Sequence, residues 1–178
     1  MDDKRRRFES EVMPHLDAAW RFARWLTRSA ADAEDVVQEA CLRAYRGYEG
    51  LRGTDAKAWL LAIVRNCQAT DFRQRQRQAA LPLPESHDAR DVAAVVAPGP
   101  DPERAAMQRD EARQLDRLLG ALPPEQREVL VLREIEDMDY RQIAAILGIP
   151  IGTVMSRLAR ARAALKLRCQ ADVPGSRA

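Results

Sequence analysis

Apolar residues recur at intervals of three and four along most of this chain, and no stretch alternates polar with apolar, so the pattern predicts helices and an all-α fold. Leu16, Ala19, Trp20, Ala23 and Leu26 form one stripe, which predicts a helix from about Phe8 to Leu26. A second stripe, Val36, Val37, Ala40, Ala44 and Tyr45, follows Ser29, which with Asp32 has the spacing of a capping box. A third helix is predicted to start near Thr54 or Asp55, bury Trp59, Leu60, Ile63, Val64 and Cys67, and run out into the polar stretch from Arg73 to Arg77. Farther on, Leu115, Leu118, Leu119 and Leu122 make a helix that Pro123-Pro124 stops, and Val129, Leu130, Leu132 and Ile135 make the next.

Between these groups the periodicity lapses. Residues 81–103 hold Pro82, Pro84, Pro98, Pro100 and Pro102 and more acidic than basic groups, the composition of a tether. The expected organisation is therefore two small helical domains joined by a flexible, proline-rich linker: residues 1–80, a linker over 81–108, a second domain over 109–172 and a tail over 173–178.

The second domain ends on a pattern with chemical meaning. Ile143, Ala144 and Leu147 share one helix face, and Val154, Leu158, Ala161 and Leu165 share another. Gly148 suits a left-handed helix end and Pro150 prevents the helix from resuming, so the pair reads as a helix-turn-helix. Glu134, Glu136, Asp137 and Asp139 precede it, whereas Arg157, Arg160, Arg162, Lys166 and Arg168 follow with no acid among them. A helix charged in this way suits a phosphate backbone, and the plainer alternative is a terminal amphipathic helix with a solvated basic face. In a major groove, Ile151, Gly152, Thr153, Met155, Ser156 and Arg157 would face base edges, while Arg160 and Arg162 would meet phosphates.

Composition narrows the classes. A chain of 178 residues with 46% hydrophobic and 31% charged residues is that of a globular protein, and its net charge of +2 announces no nucleic-acid partner, so only the segregation of charge carries that reading. No apolar run approaches the roughly 20 residues of a membrane span, and the first residues lack the apolar centre of a signal peptide, which together predict a cytoplasmic protein. Cys41, Cys67 and Cys169 are far apart, and neither His15 nor His87 stands at ligand spacing from them. They read as reduced thiols, two of them in the core, with no metal, no cofactor and no catalytic cluster expected.

Two surfaces of the first domain exceed what a core requires. Asp32, Glu34, Asp35, Gln38 and Glu39 crowd two turns beside Val36 and Leu42. Acids near a helix start complement its macrodipole, an explanation that covers Asp32 to Asp35 but not Glu39; a docking face for a basic partner is the equal alternative. The other surface interleaves Tyr45, Arg46, Tyr48, Arg52, Lys57, Trp59, Arg65, Phe72, Arg73, Arg75 and Arg77, the mixture of rings and cations that holds unstacked bases. Trp59 keeps core spacing, whereas Tyr48, in a glycine-bearing loop, is expected to be the more exposed.

Three stretches together carry a family resemblance. Asp32-Ala33-Glu34-Asp35-Val36-Val37-Gln38-Glu39-Ala40, then Ala58-Trp59-Leu60 and Arg65-Asn66 with Asp71 and Arg73, and finally Leu122-Pro123 through Gly152-Thr153-Val154-Met155-Ser156-Arg157-Leu158 closely resemble bacterial sigma factors of the extracytoplasmic-function type. The resemblance implies that Asp35, Gln38, Glu39 and Leu42 bind the clamp helices of core RNA polymerase, whose flap is a further contact. It implies that Tyr48, Arg52, Trp59, Arg65, Asn66 and Arg73 handle the −10 element and that Ile151, Gly152, Thr153, Met155, Ser156, Arg157 and Arg160 read the −35 element. It further implies a linker that threads the polymerase cleft and an anti-sigma protein as inhibitory partner. Rival readings are a stand-alone helix-turn-helix regulator, which would bind an operator without polymerase, a helical nucleic-acid hydrolase, and an adaptor that keeps the interaction surfaces without promoter activity.

Overall fold

Pro14 divides the first predicted helix in two. In the computed structural model, which describes residues 2–49, 51, 55–79 and 102–171, α1 (Asp2–Glu11) and α2 (Leu16–Thr27) are separated by a 3-10 turn at Met13–His15. A proline cannot donate to the preceding turn, so the stripe that looked continuous from Phe8 to Leu26 belongs to two helices with different directions. α2 ends with Arg28 in the left-handed region (φ 60°). α3 (Ala30–Gly47) follows at once, capped by Ser29, whose Oγ accepts the Asp32 N–H at 3.3 Å. α4 (Ala56–Ala79) starts from Asp55, whose Oδ1 accepts the N–H groups of Lys57 (2.9 Å) and Ala58 (3.3 Å).

These helices pack around Phe22, Leu60, Leu61 and Val64, all fully buried, and each such side chain contributes about 1.5–3 kcal/mol through its removal from water. On α3 the buried positions are mostly small, with Ala33, Ala40 and Ala44 at 0% exposure, which lets its backbone approach α2 and α4 closely.

Residues 81–101 lie outside the described part of the structure. α5 (Pro102–Gly120) begins within the expected linker, so residues 102–108 are helical. Its last carbonyls are held by the buried Arg127 of α6 (Pro124–Leu130), which donates from Nε to Leu119 O (2.9 Å) and from Nη2 to Gly120 O (3.0 Å) and Leu122 O (2.9 Å). One guanidinium thereby satisfies acceptors that a helix end leaves open. α6 runs into a π-turn at Val131–Ile135. α7 (Tyr140–Leu147) then starts from a complete capping box: Asp139 accepts the Gln142 N–H, and Gln142 accepts the Asp139 N–H, both at 2.8 Å. Gly148 at φ 65° ends α7, and α8 (Ile151–Ala171) leaves at 102° to it. Val154, Leu158 and Ala161 of α8 are buried with Ile143 and Leu147, as their spacing predicts.

The two halves share one apolar core. α4 packs on α7, and α2 packs on α6 and the π-turn.

Candidate nucleic-acid interface

On α8 the expected base-reading residues divide by exposure. Ile151 (42%) and Met155 (54%) stand out into solvent with Gly152, whereas Thr153, Ser156 and Arg157 are half-buried. Arg157 lies 3.5 Å from Glu125 and Arg162 lies 2.7 Å from Glu134, while Arg168 donates to Ala121 O at 3.0 Å. Among the described residues no hydrogen bond or ion pair holds Arg160, which is exposed at the outer side of the same helix. The start of the helix thus offers two apolar side chains and a bare backbone, and Arg160 adds an exposed cation farther along it.

The surface next to α4 differs from its sequence reading. Tyr48 is buried at 3% exposure, a correction to its expected exposure: the α1 ring of Phe8 meets it edge-on at 5.4 Å, and the Trp59 ring lies 6.5 Å from it. Burial pushes the Tyr48 hydroxyl above its ordinary pKa. Trp59 is half-buried against the core, as its helical spacing predicts, and Arg65 is half-buried with Asn66 exposed one residue on. Arg52 and the Arg73 side chain lie outside the described residues.

The acidic face is solvent-directed. Asp35, Gln38 and Leu42 are exposed, Leu42 at 53%, and Glu39 holds Arg43 at 2.6 Å. Val36, which the sequence reading set beside this face, points into the core. Leu42 is therefore the apolar group that the face presents.

An ionic cluster around a buried carboxylate joins the two halves, and the sequence reading missed it. Glu136, fully enclosed, accepts from Arg21 Nε (2.9 Å) and Nη2 (3.1 Å) and lies 3.1 Å from Lys57 Nζ, which also donates to Glu136 O at 2.7 Å. Glu136 sits in the acidic run before the helix-turn-helix, where it counted only toward charge polarity, and Arg21 was not singled out. Their separation of 115 positions leaves no periodic signal. A cavity of about 390 Å³ between α2, α4 and α6 is lined by Phe22, Trp25, Gln68, Asp71, Arg127 and Glu128. Burial raises the pKa of Glu128, against the pull of Arg65 and Arg157.

Cys67 is buried, Cys41 half-buried and Cys169 exposed, and burial raises the first two thiols above their ordinary pKa. Among the described residues no group of histidine, cysteine and carboxylate side chains is placed to hold a metal ion, and no single helix is long and apolar enough to cross a membrane.

Residues 12–78 match the sigma-70 region 2 family, and residues 112–165 match sigma-70, region 4. The chain is 35% identical to the ECF RNA polymerase sigma factor SigE of Mycolicibacterium smegmatis over 155 residues, 87% of this chain but only 58% of the relative, so it spans little more than half of that protein. It is 34% identical to the ECF RNA polymerase sigma factor EcfG of Rhodopseudomonas palustris, with 91% of this chain and 84% of the relative covered. Among solved structures, the sigma factor RpoE in complex with the anti-sigma factor NepR from Bartonella quintana superposes with a TM-score of 0.71 at 30% identity, covering 93% of this chain and 98% of RpoE.

Proposed function

Since the chain belongs to the extracytoplasmic-function group of sigma-70 factors, we propose that it binds core RNA polymerase and directs promoter-specific initiation, with one half at the −10 element and the other at the −35 element. The observation that carries this reading is the 102° helix pair, with Ile151, Gly152 and Met155 exposed at the start of α8 and Arg160 exposed farther along the same helix. In a major groove that start reads base edges, with Thr153, Ser156 and Arg157 close behind, and Arg160 fixes register on a phosphate.

In the other half, Asp35, Gln38 and Glu39 meet basic groups of the polymerase clamp while Leu42 supplies apolar contact. The loop before α4, with Arg52, and α4 itself, with Trp59, Arg65, Asn66 and Arg73, handle the melted −10 strand. The burial of Tyr48 gives it a different part: it packs the end of α3 against Phe8 rather than stacking on a base. Unstacking a base costs a few kcal/mol, which pocket contacts offset once polymerase holds the strand open.

In this reading the protein is a transcription initiation factor rather than a catalyst, and it works in the cytoplasm where polymerase is. An anti-sigma protein is its inhibitory partner by likeness to RpoE, which was solved with one.

The decisive experiment is transcription from a genomic promoter library by sigma-free core polymerase, with and without the protein, comparing wild type with Gln38→Ala plus Glu39→Ala. Discrete start sites that need the protein and fade in the variant support the assignment. If none appear, but the protein alone binds particular duplexes tightly, it is a stand-alone regulator.

A further inference from the structure

We propose that Arg21 and Lys57 form a phosphate clamp, which the closed chain fills with its own Glu136 carboxylate and which a nucleic-acid backbone phosphate fills when the two halves part. This rests on the proposed promoter-binding role of the first half and adds two residues to it.

The argument starts from the chemistry of the occupant. A phosphodiester presents two unesterified oxygens and one negative charge, as a carboxylate does. The Arg21 fork takes both Glu136 oxygens, Oε1 at 2.9 Å and Oε2 at 3.1 Å, and Lys57 Nζ adds a point charge 3.1 Å from Oε2. A bidentate guanidinium beside an ammonium is a combination suited to phosphate.

Placement makes the same case. Lys57 stands in the first turn of α4, two residues past Asp55, where the loop assigned to the −10 strand ends and where the helix dipole adds positive potential. The Arg21 and Lys57 side chains keep 46% and 25% of their exposure, while the Glu136 side chain keeps none. The cations can therefore be approached from solvent even with the carboxylate seated. Glu136 is also exchangeable, because desolvation of a buried carboxylate offsets much of what its two partners return. In the closed chain its polypeptide also brings the start of α7 against Asp55, through Gln142, so the same contact covers the strand-binding edge.

The test is fluorescence anisotropy of the full-length protein with a labelled single-stranded DNA of mixed sequence, across a series of salt concentrations and without polymerase. Glu136→Gln keeps volume but removes the competing charge, and we expect it to bind about tenfold more tightly, with a steeper salt dependence. Adding Arg21→Gln and Lys57→Gln to that variant should abolish the gain and flatten the slope of log K against log salt by about 1. Lys57→Met in the Glu136→Gln background retains the aliphatic stem and should give half of that change, which guards against a triple variant that fails to fold. If Glu136→Gln binds no more tightly than wild type, or if the gain survives loss of both cations, the clamp is refuted and the cluster only joins the domains. Failure of the sigma-factor reading would show instead in core-dependent transcription by the wild type, which does not enter this titration.

Discussion

Gln142 bridges the starts of two helices from opposite halves of the chain: its Oε1 accepts the Asp139 N–H at 2.8 Å, and its Nε2 donates to Asp55 Oδ2 at 2.6 Å. Asp55 uses its other oxygen to cap α4. Asp55→Ala removes the cap and the bridge together and is expected to cost about 1–2 kcal/mol, whereas Asp55→Asn keeps an acceptor for the cap and costs less. Urea denaturation of the two variants measures the difference. Amide exchange at Lys57 and Ala58 should quicken most in the alanine variant.

Gly148 has open space around its missing Cβ, so substitution there tests backbone conformation alone. At φ 65°, Gly148→Ala is expected to destabilise by about 1 kcal/mol through left-handed strain. A fall in the denaturation midpoint with unchanged m-value is the expected result, and an unchanged midpoint would count against the left-handed turn.

Leu132 and Leu42 should behave as opposites. Leu132 is fully buried at the π-turn, and Leu132→Ala is expected to cost about 2–5 kcal/mol of stability. Leu42 is 53% exposed on the proposed polymerase face, so Leu42→Ala should leave stability within about 0.5 kcal/mol while core-polymerase affinity falls roughly tenfold. Thermal melting and a pull-down with core polymerase separate the two effects.

Glu128 predicts a pH dependence. Burial raises its pKa in the folded protein, so between the ordinary carboxylate value and the raised one the folded state binds more protons than the unfolded state. Its contribution to stability must then grow as pH falls through the raised value, and it is least favourable at neutral pH. Relative to Glu128→Gln, the wild type should gain stability as pH is lowered from 7 toward 5. Denaturation of both proteins over that range checks the sign, and parallel curves would refute it.

Much of the architecture was legible because it is written locally. α3, α7 and α8 follow from apolar spacing, and the turn between the last two follows from Gly148 and Pro150, since each depends on residues within one or two turns. The break at Pro14 was equally local, yet a stripe that continued past it hid the change of direction. The outward-facing Asp35, Gln38 and Leu42 were legible for the same reason as the core: their positions on α3 oppose Ala33, Ala40 and Ala44.

Burial of Tyr48 could not be read this way. It depends on Phe8, brought from a helix forty positions earlier, and a loop tyrosine carries no periodic mark of its neighbour. The sequence by itself determined most of the helices, the helix-turn-helix and the family, because periodicity, caps and breakers act over a few residues. Only the tertiary structure decided that Glu136 lies between Arg21 and Lys57, because a buried charge is set by which distant surfaces meet and exclude water, and no local pattern encodes that meeting.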